Sequence, residues 1–379
     1  MTAVEPDARL EELIKAQAYG LGFDLAGITR LGPAETAREY QEWIGRGYAG
    51  DMAYLLRNAD TRADTTLPFA GATSAIVVGL NYGGTAPSGP IARYARGEDY
   101  HEIMWGMLDT LHAWIDDHLG FATHGRSYVD TAPILERDLA CRAGLGWQAK
   151  NTNLINPSIG SFFFIGSLFI DLDLEPDTPF EADRCGTCTR CIEACPTAAI
   201  VEPRVLDATR CISYLTIETK GAIPVGLRES IGDRLYGCDI CQDVCPYNHK
   251  FARELSEPAF ASRSALAGRD SRSLALELLA MPPAEFSAAF KGSPMKRAKL
   301  RGLKRNSSVV LGNVGSEADV PALTTALEDP EPLVRSHSAW ALGRIGSAAA
   351  APALRRRLAA EGDASVVGAL EVALTSLGG

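Results

Sequence analysis

The chain has 379 residues, 46% hydrophobic and 22% charged, the balance of a soluble globular protein with room for two or three domains. A net charge of −10 argues against general nucleic-acid binding, so any such contact must come from a local reversal of charge. The early acids predict that the N-terminus is no secretory signal, and the longest apolar run, residues 161–170, is too short to span a bilayer. A cytoplasmic location is expected, and in that reducing compartment nine cysteines point to metal or redox chemistry over disulfides.

Residues 1–175 are expected to form an α/β (α+β) domain. Leu10, Leu13 and Ile14 open an amphipathic helix, and residues 23–28 follow as a short strand. Residues 75–80 form a β-branched run that predicts a second strand, ended by the turn-forming stretch GGTAPSGP. Within residues 103–119, Met104, Leu108, Leu111 and Ile115 share one helical face. Residues 153–171 read as two strands joined through Asn156, Pro157 and Ser158. Residues 176–255 hold most of the cysteines and are rich in loops, and residues 256–379 form the last part.

That last part repeats itself. Leu311, Gly312, Gly315, Pro321, Leu323 and Leu327 recur 31 residues later as Leu342, Gly343, Gly346, Pro352, Leu354 and Leu358, with a partial third copy at Leu374, Leu377 and Gly378. Helix, glycine turn, proline and second helix in each copy make the pattern of a short α-helical HEAT-like array. Such an array either serves recognition or caps the fold.

Cys185-x2-Cys188-x2-Cys191-x3-Cys195-Pro196 is the bacterial ferredoxin run, in which three near thiolates hold one cubane and the fourth turns to its neighbour. The second run, Cys238-x2-Cys241-x3-Cys245-Pro246, has Leu235 where its first cysteine would stand, and Cys211 upstream can replace it. The count then closes on two 4Fe–4S clusters. One takes Cys185, Cys188, Cys191 and Cys245; the other takes Cys195, Cys211, Cys238 and Cys241. Zinc also binds paired cysteines, but two Cys-Pro endings and a total of eight thiols disfavour it. Cys141 is left over in a helical context and reads as a small buried hydrophobe.

With these parts placed, the chain resembles the epoxyqueuosine reductase family over nearly its whole length. The carriers are YARGEDYH at 94–101, VDTAPILERDLACRAGLGWQAKNTNLI at 129–155, the cysteine pattern with its outlying member, and GSPMKRAKLRGLKRN at 292–306. The resemblance implies reduction of an epoxide on the wobble nucleoside of tRNA to the cyclopentene of queuosine. It also implies a base-off cobalamin in the N-terminal domain and kinship with corrinoid reductive dehalogenases. The Asp-x-His-x-x-Gly ligand motif is absent, Asp109 and His112 having the wrong spacing, and the family's corrinoid needs none.

Asp130 matches the family's catalytic aspartate. A proton donor over the corrin asks for burial to raise its pKa. Read from the residues alone, Asp130 is instead the N-cap of a helix starting near Pro133, with Glu136 downstream. Lys150, Asn151 and Asn153, with Arg57 and Tyr94, are expected to contact the corrin or the substrate. His101 is either a second polar contact there or a structural histidine.

Residues 291–305 (KGSPMKRAKLRGLKR) carry seven basic residues and no acid. On a helix from Pro294, Arg297, Arg301, Lys304 and Arg305 fall near one face, which suits phosphate contacts with RNA or a merely solvated surface. The expected partners are tRNA containing epoxyqueuosine and an external low-potential electron donor, with no membrane and a monomer sufficient. A reductive dehalogenase acting on small molecules would carry an export signal and lack the basic array. A non-catalytic iron–sulfur electron carrier would leave the N-terminal domain without a task.

Overall fold

In a computed structural model, residues 9–378 are described; the reading of the N-terminus rests partly on residues outside that span. The centre of the first half is a four-stranded sheet of β1 (Leu25–Arg30), β2 (Ser74–Asn81), β3 (Gly125–Tyr128) and β4 (Phe163–Ile170), in the order β1-β2-β4-β3. Every pairing is antiparallel, with Leu25 opposite Gly79, Leu80 opposite Phe164 and Tyr128 opposite Ser167. The domain is therefore α+β in character.

Both faces of β2 are covered, which is why its sequence reads as one apolar run and not as an alternation. Ile76, Val78 and Leu80 face helices α1 (Leu10–Gly20) and α2 (Tyr100–Leu119), which bring Ile14 and Ala18, then Met104, Leu108, Leu111 and Ile115. Ala75 and Val77 face the other way, towards Leu139 and Ala140 of α3 (Glu136–Arg142). Asp99 starts α2 by accepting from the His101 N–H, and Gly120, at φ 73°, ends it.

The two strands expected within 153–171 do not pair with each other. Leu154–Ile155 pairs with Trp147–Gln148, while β4 lies between β2 and β3. An eight-residue strand that is apolar on both faces needs the middle of a sheet, and a two-residue partner cannot cover it.

The cysteine segment follows as loops and single helical turns, with a small hairpin of Ile200–Glu202 and Val205–Leu206. Buried Arg93 fastens it to the sheet domain by ion pairs to Asp239 and Asp243. The C-terminal part is helical: α4 (Ser271–Ala280), α5 (Lys299–Val314), α6 (Val320–Ala326), α7 (Pro332–Ile345), α8 (Ala351–Ala360) and α9 (Ala364–Gly378). The repeated glycines lie where successive copies touch. A Cβ on Gly312 would come 2.5 Å from the Trp340 ring, and one on Gly343 would come 2.9 Å from the Ala373 backbone.

The helix expected from Pro294 is interrupted. Pro294–Ala298 forms a 3-10 turn, Lys299 takes a positive φ of 60°, and α5 begins only there. Among the described residues, no helix is long and apolar enough to cross a membrane.

Candidate functional site

Between β3 and α3 the chain turns sharply at Asp130, which holds a left-handed φ of 57°. That conformation costs a non-glycine residue about 1–2 kcal/mol, so it persists only where neighbours hold it. The holders are visible: the Asp130 N–H donates to Glu136 Oε1 at 2.6 Å, and the Tyr100 hydroxyl donates to Asp130 Oδ2 at 2.9 Å. His101 Nε2 stands 3.7 Å from the same oxygen, an ion-pair distance too long for a hydrogen bond, while its Nδ1 lies 2.7 Å from Asp99 Oδ1. The helix expected near Pro133 begins at Glu136, with Leu135 in the cap position and no side-chain cap. Asp130 is thus not a cap, and His101 belongs to the site.

The electrostatics invert one expectation. Burial alone would raise the Asp130 carboxyl, but the contacts from His101 and Tyr100 outweigh it and hold the group below the usual carboxylate range. The raised acid is its neighbour: burial, followed by the negative charge of Asp130, pushes Glu136 up to about 8. Burial works to lower His101, yet the Asp130 and Asp99 carboxylates prevail and lift it to about 9. Tyr100 is raised well above an ordinary phenol by burial and by the Asp130 charge. At neutral pH the group is a carboxylate, an imidazolium, a phenol and a protonated Glu136.

Although protein surrounds it, the Asp130 side chain keeps 62% of its surface accessible, because it opens into a cleft of about 800 Å³. Leu154, Phe163, Phe164 and Ile165 give this cleft an apolar side, and Tyr54, Tyr82, Tyr94 and Tyr100 add aromatic surface. Arg62, Gln148 and Asn153 supply polar groups. Buried Arg62 donates through Nη1 to the Ile134 carbonyl at 3.1 Å, while its Nε has no partner. Trp43 and residues 203–206 of the cysteine segment's hairpin also line it. A more open groove of about 700 Å³ lies beside residues 131–133 of the same loop.

Several of the eight thiols lie close enough to feel one another's charge. Burial is the main influence on Cys191, Cys211, Cys238, Cys241 and Cys245, pushing Cys238 up to about 12 and Cys241 well above an ordinary thiol. The smaller charge effects identify neighbours. Cys191 feels Cys185, Cys245 and Cys188, and Cys245 feels Cys185 and Cys188. Cys211 feels Cys195, Cys238 feels Cys211, and Cys241 feels Cys211 and Cys238. Cys191 also acts on Cys241. Among the described residues, no three His, Cys, Asp or Glu side chains close on one point tightly enough for a single ion. Cys141 is half-buried in α3 against the sheet's second core.

The remaining expected contacts divide. Tyr94 and Asn153 line the cleft. Arg57 does not: it is exposed at the end of Ala53–Arg57, and the arginine on the wall is Arg62, five residues further on. Lys150 and Asn151 are also placed elsewhere. Lys150 Nζ donates to the carbonyls of Gly186 at 2.6 Å and Cys188 at 3.0 Å, and Asn151 donates to that of Cys241 at 3.1 Å. Both tie cysteine loops to the sheet domain.

The basic run is partly neutralised by acids from other segments, which no local reading could reveal. Arg297 forms a two-pronged pair with Glu218 at 2.9 and 3.0 Å and lies over the Tyr54 ring, at the mouth of the cleft. Lys304 pairs with Asp329 at 2.9 Å, and Arg301 bonds the Lys220 carbonyl at 3.1 Å with Glu331 3.7 Å away. Arg305 is not on the surface at all. At 1% exposure it donates to the carbonyls of Leu215, Thr219 and Gly221 and to Asn306. It is buried because residues 215–221 pack over that part of α5 and present their carbonyls to the guanidinium. Lys291, Lys296 and Lys299, passed over in the sequence, are exposed, and none forms an ion pair among the described residues.

An acid-bearing cleft lined in part by a segment rich in neighbouring thiols, in a chain that ends in a helical array, defines a cluster-dependent redox protein. Three stretches match known families: residues 184–248 a 4Fe-4S double cluster binding domain, residues 62–131 the family described as epoxyqueuosine reductase QueG, DUF1730, and residues 301–375 HEAT repeats. An epoxyqueuosine reductase of Xanthomonas campestris is 42% identical over 340 residues, 86% of this chain and 94% of that protein. The chain belongs to the epoxyqueuosine reductase family. A crystal structure of an epoxyqueuosine reductase with an epoxyqueuosine-modified tRNA-Tyr stem loop superposes with a TM-score of 0.89 at 31% identity, covering 98% of this chain and 99% of that one. The Bacillus subtilis enzyme, solved with its aspartate-bearing catalytic loop swung out of the active site, gives 0.85 at 30% identity, covering 97% and 99%.

Proposed function

We propose that the chain reduces epoxyqueuosine to queuosine at the wobble position of tRNA, with electrons passing through two 4Fe–4S clusters to a base-off cobalamin beside Asp130. One observation carries this: Asp130 opens into a cleft that is also lined by residues 203–206 of the cysteine segment. In this reading Cys185, Cys188, Cys191 and Cys245 hold one cluster, and Cys195, Cys211, Cys238 and Cys241 hold the other. The corrin-binding, cluster and array parts correspond to residues 1–175, 176–255 and 256–379. The enzyme works as a monomer in the cytoplasm and takes electrons from an external low-potential donor.

The cleft suits a corrin. Phe163, Phe164 and Ile165 offer a flat macrocycle an apolar side, and Gln148 and Asn153 can meet the amides on its rim. Bound there, cobalamin supplies low-potential electrons for the epoxide. Opening the epoxide to the alkene takes two electrons and two protons and releases water. The protein's part is to hold a proton at Asp130 and exclude solvent. Tyr100 and His101 aim the carboxylate, and Glu136 keeps its turn closed. Filling the cleft strips water from the exposed carboxylate and moves its pKa upward from its lowered value, towards a proton donor. The swung-out loop of the Bacillus subtilis relative supports reading this turn as a movable element. Lys296, Lys299, Arg297 and Arg301 meet RNA phosphates, and the flipped nucleoside enters past Arg297 and Tyr54.

Adding cobalamin to the cluster-loaded protein and desalting it tests the corrin assignment. A retained corrin with a base-off visible spectrum is expected. Loss of all corrin on the column would overturn that part and leave the cluster assignment standing.

A further inference from the structure

We infer that Trp147 sets the reduction potential of the cluster held by Cys185, Cys188, Cys191 and Cys245. Its indole Nε1–H donates to Cys185 Sγ at 3.4 Å. The side chain is 3% exposed, stacks on Phe180 at 5.6 Å and receives the edge of Tyr247 at 4.8 Å, so the ring cannot swing away from the sulfur. Its backbone is pinned as well, by the strand pairing with Ile155.

A hydrogen bond to a ligand sulfur stabilises the reduced, more negative cluster more than the oxidised one, and so raises the potential. The donor here comes from the sheet domain. The other thiol set receives its sulfur contacts from its own loop: the Ala199 N–H at 3.3 Å and the Thr197 hydroxyl at 3.6 Å, both on Cys195. Cys185 and Cys188 lie in a largely exposed loop, so the cluster tuned by Trp147 is within reach of an incoming electron, which a raised potential helps it to accept.

The inference rests on the two-cluster reading, and the test separates the two. Wild-type and Trp147→Phe protein, without cobalamin, are analysed for iron and sulfide and titrated reductively under electron paramagnetic resonance. Full iron and sulfide with one of two midpoints shifted to a more negative potential is expected. Two unchanged midpoints would overturn the role of Trp147, whereas wild-type protein lacking two cluster signals would overturn the two-cluster reading instead. Should the variant not assemble, ¹⁵N-indole labelling in a Trp43→Phe, Trp340→Phe background removes the indoles that pack in clusters with Cys211 and Cys238. Pulsed resonance then shows a ¹⁵N coupling to a reduced cluster, or, by its absence, refutes the contact.

Discussion

The Glu136 carboxyl accepts the backbone N–H of Asp130 at 2.6 Å, six residues upstream, and so closes the turn that presents Asp130 to the cleft. Glu136→Gln keeps an acceptor oxygen and is expected to turn over within a few-fold of the wild type. Glu136→Ala releases a turn held at positive φ, and a misplacement of about 1 Å is enough to lose ~100-fold in kcat. Parallel single-turnover assays of the two variants check this; equal losses would refute the role.

Glu136 also carries a pH signature. Its folded pKa, about 8, lies above the ordinary value of 4.5, so the native state holds the proton more tightly than the unfolded chain. Its contribution favours folding at low pH and is lost as pH rises from about 4.5 to 8. The wild type should therefore lose thermal stability relative to Glu136→Gln across that window, measured by melting both at matched ionic strength.

His101 gives a different window. Its folded pKa is raised from 6.5 to about 9, so its contribution to stability is complete below 6.5 and disappears as pH passes through 9. The difference in melting temperature between wild type and His101→Gln should be constant in mild acid and shrink between pH 7 and 10.

Arg305 and the exposed lysines separate structure from RNA binding. Arg305→Met leaves the carbonyls of Leu215, Thr219 and Gly221 without their donor, at a cost of ~3 kcal/mol or more in denaturant unfolding. Lys296→Ala with Lys299→Ala should leave stability nearly unchanged. It should weaken tRNA binding and make the log–log salt slope shallower by about 1.5. An unchanged slope would remove these lysines from the RNA face.

The double-cluster segment and the helical repeats were legible in the sequence, because closely spaced cysteines and a 31-residue period are local properties. It showed the apolar face of α2 for the same reason. What it concealed depends on contacts between distant segments. Lys150 and Asn151 look like pocket residues until the carbonyls of Gly186, Cys188 and Cys241 claim them. Arg305 looks solvated until the carbonyls of Leu215, Thr219 and Gly221 close over it. Arg62 carried no motif, and Glu136 was visible only as a residue downstream of a supposed cap. The direction of the Asp130 shift depends on Tyr100 and His101, which a count of burial leaves out.

The central claim is that Asp130 supplies the proton at a corrin held in this cleft. Its most direct test is mass-spectrometric quantitation of queuosine formed in epoxyqueuosine-containing tRNA by Asp130→Asn protein loaded with both clusters and cobalamin. Intact folding, clusters and corrin with product formation reduced by ~100- to 10,000-fold is the expected result. Queuosine formed at close to the wild-type rate would contradict it.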